Sequence, residues 1–306
     1  MGGDGFLGSH FVDEAVKAGH AITVFDRFSG GHARNLEHQR GCVRFIAGEF
    51  ANRDDVLQAL RGQEIVYHFV SATNPATSWN NPFLEIEENL RHSVQLFELA
   101  SKENVRKLVF MSSGGTVYGR QSGLIDETVL PRPFSPYGIG KCAIEHFLNY
   151  YHDHGYLTAD IYRIGNAYGS RQPMHAPQGV IANWMARILD AEEIVAYGGA
   201  DTVRDYVYVG DVARLLLQSV AQVSDAGIYN VGTGRGISIT ELLDIFGRVI
   251  DRPFRVRMEP RRDFDNPYVV LDSRRLIARC PGFQFSDFEE KLGETWEYVN
   301  LHYRKR

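Results

Sequence analysis

Tyr137 and Lys141 stand four residues apart in Tyr137-Gly138-Ile139-Gly140-Lys141. On a helix that spacing puts both side chains on one face. A phenol ordinarily loses its proton near pH ~10, too high for a base at neutrality. An ammonium one turn away favours the phenolate. A drop of about three units corresponds to ~4 kcal/mol of differential stabilisation, which Lys141 would help to supply. A Tyr-x3-Lys pair alone is usually a solvated helix face. Here Ser135 offers an N-cap and Pro136 suits the first helical position, so a helix is expected from Pro136 to about Tyr151. Two dozen residues before Tyr137, a strand-like run ends in hydroxyls, Ser112-Ser113-Gly114-Gly115-Thr116-Val117-Tyr118-Gly119. Strand ends of an open α/β sheet face the ligand crevice, where a hydroxyl can bridge a sugar hydroxyl and a tyrosine.

The chain opens Met1-Gly2-Gly3-Asp4-Gly5-Phe6-Leu7-Gly8, with an apolar helical pattern at once behind it. Gly2, Gly5 and Gly8, three apart, suit the turn that lets backbone approach a pyrophosphate at a helix N-terminus. No strand precedes that turn, so either the start is placed too late or the sheet lacks a central strand. Asp26 ends the next strand, eighteen residues past Gly8. Its carboxylate can accept from both hydroxyls of an adenine-side ribose and repel a 2′-phosphate, which favours NAD over NADP. Arg27 weakens that preference, because a guanidinium pairs with phosphate. An oxidised nicotinamide would also favour the Tyr137 phenolate.

These elements must be carried by a scaffold. Helical patterns cover Phe6–Ala18, Asp54–Leu60, Glu85–Lys102, Val180–Asp190 and Ser238–Val249, with another from Asp211. Strand patterns cover Ala21–Phe25, Val43–Ile46, Glu64–Val70, Lys107–Met111, Ala159–Arg163, Val207–Val209 and Ile228–Val231. The alternation predicts an α/β fold, a Rossmann-like doubly wound parallel sheet covered on both faces, with a smaller C-terminal α/β substrate domain. The expected division is 1–170 for the dinucleotide and 171–306 for the substrate, some later segments returning to the first domain. Residues 171–205 read as loop-rich.

The chain has 306 residues and a formal charge of −5. No basic run tracks nucleic acid. No apolar stretch approaches the ~18 residues of a membrane span, and no signal peptide is visible, although a chain lacking its true start could hide one. Cys42, Cys142 and Cys280 are few, odd in number and far apart. They suit a reducing, cytoplasmic setting and show no metal-site spacing. Cys142, beside Lys141, reads as a small buried thiol.

Together these segments resemble the extended short-chain dehydrogenase/reductase family, in its NAD-dependent epimerase/dehydratase branch, over nearly the whole chain. Further matching segments are Val66–Ser71, Arg163–Gln172, Arg204–Val209 and Tyr229–Gly234. The pattern is most similar to the UDP-glucose 4-epimerases. The resemblance implies NAD, a UDP-sugar substrate, and a homodimer built on Glu85–Lys102 and Pro136–Tyr151. It implies that Gly2, Gly5, Phe6 and Leu7 line the pyrophosphate, and that Glu49 and Phe50 lie near adenine. Phe69, Val70 and Ser71 replace the usual Leu-Ala-Ala along the cofactor. Asn89 matches a helix asparagine near the active site, and Lys141 would also bind the nicotinamide ribose. Asn166 would meet the substrate diphosphate. Arg204 and Arg262 match arginines that grip UDP phosphates, and Asp265 a carboxylate near the nucleoside.

Two departures bear on the reaction. The family's catalytic Ser or Thr falls at Gly114, so Thr116 or Ser113 must take its part. Where sugar 4,6-dehydratases carry Asp-Glu, this chain has Gly115-Thr116. Neither trades protons like a carboxylate, and a 4-epimerase needs no second acid. The expected activity is epimerisation at C4 of a UDP-hexose; an NAD(P)-dependent reductase or dehydratase, or a non-catalytic relative, are the alternatives.

Overall fold

A computed structural model describes residues 1–28, 34–174, 176, 178–220 and 226–303. The first half runs α1 (Phe6–Lys17), β1 (Ile22–Asp26), β2 (Val43–Ala47), α2 (Arg53–Leu60), β3 (Ile65–His68), α3 (Pro75–Asn80), a π-helical turn (Glu85–Leu90), α4 (Arg91–Lys102), β4 (Lys107–Ser113), α5 (Pro136–Asp153) and β5 (Thr158–Ile164). Then follow β6 (Asn166–Tyr168), α6 (Val180–Leu189), β7 (Ile194–Tyr197), β8 (Val203–Tyr208), α7 (Val209–Ser219), β9 (Gly227–Val231) and β10 (Gly236–Ser238). The chain ends with α8 (Ile239–Val249), β11 (Val256–Glu259), β12 (Tyr268–Val269), α9 (Arg274–Ile277) and α10 (Phe288–His302).

The parallel strands β3, β4, β5 and β9 pair in the order β3-β4-β5-β9, and β1 pairs with β2 separately. Met1 and Gly2 lie between these two groups. The Met1 amine donates to the Tyr67 carbonyl at 3.0 Å and Phe69 N–H to the Met1 carbonyl at 3.0 Å, while Gly2 N–H reaches the Phe25 carbonyl at 2.8 Å. Met1 and Gly2 thus hydrogen-bond to both groups of strands.

Both sheet faces are covered. One core packs Leu96, Phe97, Ile144 and Leu148 from α4 and α5 against Leu108, Phe110 and Ile161. The other packs Phe11 and Ala15 from α1 and Leu215 and Leu216 from α7 against Val109, Met111 and Tyr162. This doubly wound arrangement is the one expected from the alternation of patterns, and β9 is a later segment returning to the first sheet. A third core joins α6, α8 and α10 through Trp184, Leu242, Phe246, Leu292 and Trp296. Beside it β8 pairs with β6, β10 and β12, and β7 with β11.

Three differences from the sequence reading have local causes. The expected strand over Glu64–Val70 narrows to Ile65–His68, because the chain turns toward the crevice once Phe69 has bonded Met1. The single helix expected over Glu85–Lys102 opens with the π-helical turn, which buries Glu85 and Asn89 together. The strand expected at Val207–Val209 is Val203–Tyr208, and Val209 already begins α7. β7 and the first part of β8 also lie within 171–205, which had read as loop-rich; β7 pairs only with β11, residues distant in the chain.

The matching segment Gly232-Thr233-Gly234 wraps around a buried side chain. The buried Asp205 carboxylate accepts from Thr233 N–H and hydroxyl at 2.8 and 2.7 Å, Gly234 N–H at 3.0 Å and Leu271 N–H at 3.1 Å. A Cβ at Gly232 would lie 2.4 Å from that carboxylate.

Candidate active site

A cavity of about 880 Å³ runs from the glycine turn, past Tyr137, to the C-terminal half. At its first end, Gly5 caps α1 without any side-chain bond. The first-turn N–H groups of Phe6, Leu7 and Gly8 are thus left for an anion, and all three residues line the cavity. Gly2 adopts φ +73°, where side chains are strained. A Cβ at Gly8 would lie 2.4 Å from the Gly2 carbonyl oxygen. The turn therefore tolerates no side chain at Gly8, and the residues fit a pyrophosphate.

Asp26 stands beside this turn. Its carboxylate accepts from Asp4 N–H at 3.0 Å and from its own neighbour Arg27 N–H at 2.8 Å. A carboxylate has about four acceptor positions, so two remain for ribose hydroxyls. Arg27 is exposed. Asp4, which the sequence reading left without a role, is a second organiser. It accepts Arg34, Asn35 and Leu36 N–H groups at 2.7, 2.9 and 3.0 Å and so fixes the chain that follows β1. Glu49 lies at the surface end of β2, where its N–H donates to Asp55 at 2.9 Å. Phe50 packs against His68, ring centres 5.1 Å apart. Phe69 and Ser71 line the cavity, and Val70 lies behind them against Gly2.

The central wall is α5. Ser135 caps it, its hydroxyl accepting Gly138 N–H at 3.2 Å, and Pro136 follows at the first helical position. Tyr137 and Lys141 are both buried and both line the cavity. The Lys141 ammonium lies 5.6 Å from the Tyr137 ring centre and 4.8 Å from that of Phe110, and donates to the Met111 carbonyl at 3.1 Å. Burial pulls Lys141 down to about 8, opposed by the charges of Glu85 and Glu145. Burial pushes the Tyr137 phenol up to about 12, the Glu85 charge adds to the rise, and the nearby Ser71 hydroxyl works against it. The lysine alone therefore does not make this phenol acidic. The oxidised nicotinamide is the second cation that the sequence reading expects beside it.

Behind Lys141 a buried polar cluster locks the helix to the sheet. Glu145 pairs with Arg163, whose Nη2 lies at 2.6 Å, and also accepts from the Ser112 hydroxyl. Arg163 lies over the Tyr118 ring at 4.8 Å, and the Tyr118 hydroxyl donates to Asn230 at 2.7 Å.

Across from Tyr137, the end of β4 presents Ser113 and Thr116 to the cavity. The Thr116 hydroxyl is buried without a hydrogen-bond partner. Gly114 offers no hydroxyl, and a Cβ there would lie 2.5 Å from Leu271 Cδ1 and 3.0 Å from the Arg163 carbonyl oxygen, so a side chain would require Leu271 to shift. Asn89 does not reach the cavity. It holds the loop after β3, accepting from Ala72 N–H at 2.8 Å and donating to Thr73 and Glu85 at 2.7 and 3.0 Å.

The far end collects residues from both halves. Asn166 donates weakly to the Asp205 carbonyl at 3.5 Å and faces the cavity. Arg204 is bonded to the Val203 and Pro267 carbonyls at 3.0 and 3.3 Å and forms no carboxylate ion pair among the described residues. Burial lowers its pKa, so an incoming anion is favoured there. Arg262 lies between the rings of Tyr197 and Phe264 at 4.6 and 4.7 Å and pairs with Asp265 at 2.7 and 3.1 Å. Sequence reading missed Tyr206 and Asn266, whose buried OH and Oδ1 have no partner and which line the same space. It also missed Trp79, which meets Phe264 across the two halves at 5.9 Å. Tyr206 stood inside a matching segment; Trp79 and Phe264 carried no signal, since nothing local shows that they meet.

A doubly wound α/β sheet with a glycine turn at one end of a crevice and a Tyr-x3-Lys wall at its centre defines a dinucleotide-dependent enzyme acting on a hydroxyl-bearing substrate. The profile of the NAD dependent epimerase/dehydratase family matches residues 1–232. The chain belongs to that family. It is 31% identical over 281 residues to the UDP-glucose 4-epimerase of Mycolicibacterium smegmatis, covering 90% of this chain and 89% of that one. The structure of Thermus thermophilus UDP-glucose 4-epimerase in complex with NAD superposes with a TM-score of 0.89 at 32% identity, over 98% of this chain and 97% of that one. That of the Thermotoga maritima UDP-glucose 4-epimerase with UDP-glucose does so with a TM-score of 0.90 at 30% identity, over 99% and 98%.

Proposed function

We propose that this chain is an NAD-dependent UDP-hexose 4-epimerase. The observation that carries this reading is the character of the cavity wall. Tyr137 and Lys141 stand at its centre, and among the described residues its one carboxylate is Asp265, already paired with Arg262. A 4,6-dehydratase needs an acid and a base at the sugar to remove water; Gly115 and Thr116 supply neither. The likeness to UDP-glucose 4-epimerases supports the same choice.

NAD, when bound, would supply the hydride acceptor for C4, the donor that returns that hydride to the opposite face of C4, and a positive charge favouring the phenolate. Gly2, Gly5, Phe6 and Leu7 hold its pyrophosphate and Asp26 its adenine-side ribose, which favours NAD over NADP. Glu49 and Phe50 border the adenine, Phe69 and Val70 the length of the cofactor, and Lys141 the nicotinamide ribose. Tyr137 takes the proton from the sugar 4-hydroxyl. The Thr116 hydroxyl, buried and unpaired, is the strand-end donor that meets the sugar, with Ser113 beside it. The resulting 4-keto sugar turns over while Asn166, Arg204 and Arg262 keep the diphosphate and Asp265 the nucleoside. Binding energy from the remote UDP thus positions a group that must itself rotate. Tyr137 then returns the proton.

Incubation with UDP-glucose, UDP-N-acetylglucosamine and UDP-glucuronate, separately and without added reductant, tests the reading. The C4 epimer of one of them is expected; consumption of added NADH would show a reductase instead. Arg204→Met is expected to raise KM for that sugar by on the order of 100-fold while leaving bound NAD in place, measured by steady-state kinetics and cofactor content.

We further place a homodimer on the outer face of the π-helical turn and α5, where Ile86, Ile139, Phe147 and Tyr150 are exposed. Ile139, Phe147 and Tyr150 recur at helical spacing on one face. Ile139→Asp is expected to yield monomers by analytical ultracentrifugation. Among the described residues no helix is long and apolar enough to cross a membrane. Cys42, Cys142 and Cys280 are all free, in keeping with a cytoplasmic setting.

A further inference from the structure

The cavity wall contains a buried acceptor that no described residue answers. Asn266 lies in the segment between β11 and β12 and lines the cavity, yet it is only 5% exposed. Its Nδ2 donates to the Gly115 carbonyl at 2.8 Å, and its Oδ1 has no hydrogen-bond partner among the described residues. The two ends of the amide cannot trade places, because a carbonyl only accepts and so takes the NH2 end. Oδ1 is therefore an acceptor held in one orientation. A polar atom buried without a partner is costly, and such atoms are rare in folded proteins.

The chain on either side of Asn266 is fixed. Before it, Asp265 N–H donates to the Arg262 carbonyl at 3.0 Å, and the Asp265 carboxylate accepts from Arg262 at 2.7 Å. After it, the Pro267 carbonyl accepts from Val203 N–H at 2.8 Å and from Arg204 at 3.3 Å. The bond to Gly115 then joins the two halves of the molecule, 151 residues apart in the chain.

Gly115 places this amide beside the reacting centre. It follows Gly114, where the family's hydroxyl is absent, and precedes Thr116, whose own hydroxyl is likewise buried and unpaired. The Thr116 carbonyl packs in turn on α5, since a Cβ at Gly138, the residue after Tyr137, would lie 2.8 Å from its oxygen. Gly115 itself leaves room, because a Cβ there would meet only Ser113 Oγ, at 3.8 Å. The strand-end segment thus has Asn266 bonded at Gly115 and the Tyr137 helix packed at the next residue.

We propose that Asn266 is a specificity-determining residue whose Oδ1 accepts a hydrogen bond from a donor on the hexose ring other than the 4-hydroxyl. The inference rests on the 4-epimerase reading. The 4-hydroxyl is set aside because it gives its proton to Tyr137 and becomes a carbonyl during the reaction. The donor is a hydroxyl at C2, C3 or C6, or the N–H of an acetamido group at C2. A sugar that lacks it leaves Oδ1 buried and unpaired, which is how a polar site rejects an analogue missing one group.

The test is affinity measured by titration calorimetry with the bound cofactor in its reduced form, which takes no hydride, so that binding is read without turnover. The ligands are UDP, the UDP-hexose that the enzyme epimerises, and its analogues lacking the C2, C3 or C6 substituent in turn. In the parent, one analogue is expected to bind roughly 10- to 100-fold more weakly than the unmodified sugar. In Asn266→Leu the unmodified sugar is expected to weaken by a similar factor, that analogue to lose nothing further, and UDP to bind as in the parent. A role confined to tying Gly115 in place would weaken every hexose alike and keep the parent's pattern across the analogues, which overturns the proposal. Parent-like affinity of Asn266→Leu for the unmodified sugar overturns it as well. If leucine abolishes UDP binding, Asn266→Ala is read through the same series. Failure of the underlying reading looks different: the parent would then epimerise no UDP-sugar.

Discussion

Tyr137→Phe is expected to cut turnover by about 10³-fold, the scale of a positioned general base, with the fold and bound NAD unchanged. Phenylalanine keeps the ring that Lys141 covers and the packing of α5, and removes only the oxygen. Tyr137 N–H also donates to the Ser78 hydroxyl at 3.1 Å, a main-chain bond that the substitution spares. The loss should therefore fall on kcat rather than on KM, because Arg204 and Arg262, proposed above to grip the diphosphate, lie at the other end of the cavity. Steady-state kinetics with the productive sugar, together with the cofactor content of the purified protein, reads both. Near-normal turnover would remove Tyr137 from the mechanism.

Glu145→Ala carries the largest expected cost to stability. Glu145 is buried and answers a buried guanidinium with three contacts, Arg163 Nε at 3.1 and 3.2 Å and Nη2 at 2.6 Å, besides the Ser112 hydroxyl. Removing one partner of such a pair strands the other charge in a low-dielectric interior, at roughly 3–5 kcal/mol. Denaturant unfolding should show that loss directly. Glu145→Ala with Arg163→Met should recover much of it, because an apolar pair leaves no buried charge behind. The single variant should also disturb catalysis, since Glu145 helps to keep Lys141 charged against the pull of burial. A single variant as stable as the parent would show that water reaches Arg163.

Much of the scaffold was open to reading in the chain. Helices start where caps predict: Ser135 with Pro136 opens α5, and Ser238 opens α8 by accepting Glu241 N–H at 3.1 Å. The parallel strands β3, β4, β5 and β9 appear as apolar runs because both of their faces are buried. The short pieces β6, β10, β11 and β12 were not seen. Each is two to four residues long, too short for periodicity, and each exists because a distant partner holds it. The π-helical turn was hidden for a related reason: its composition reads as ordinary helix, and Glu85 within it is buried against Gly140, a residue far along the chain. The role of Gly232 and Gly234 was hidden too, since they fit around the buried Asp205 carboxylate, whose place only the fold decides.

What local chemistry can specify, the amino-acid order alone determined: the glycine turn and uncapped helix that await an anion, the one-turn spacing of Tyr137 and Lys141, and the absence of an acid at Gly115-Thr116. Those properties depend on neighbours along the chain. Only the tertiary structure decided that Leu271 packs over Gly114, that Glu85 sits against Gly140, and that burial lifts the phenol where the lysine alone would lower it. Each of these is a contact between residues far apart in sequence, or a loss of water that only packing brings about, and neither leaves a mark on the local pattern.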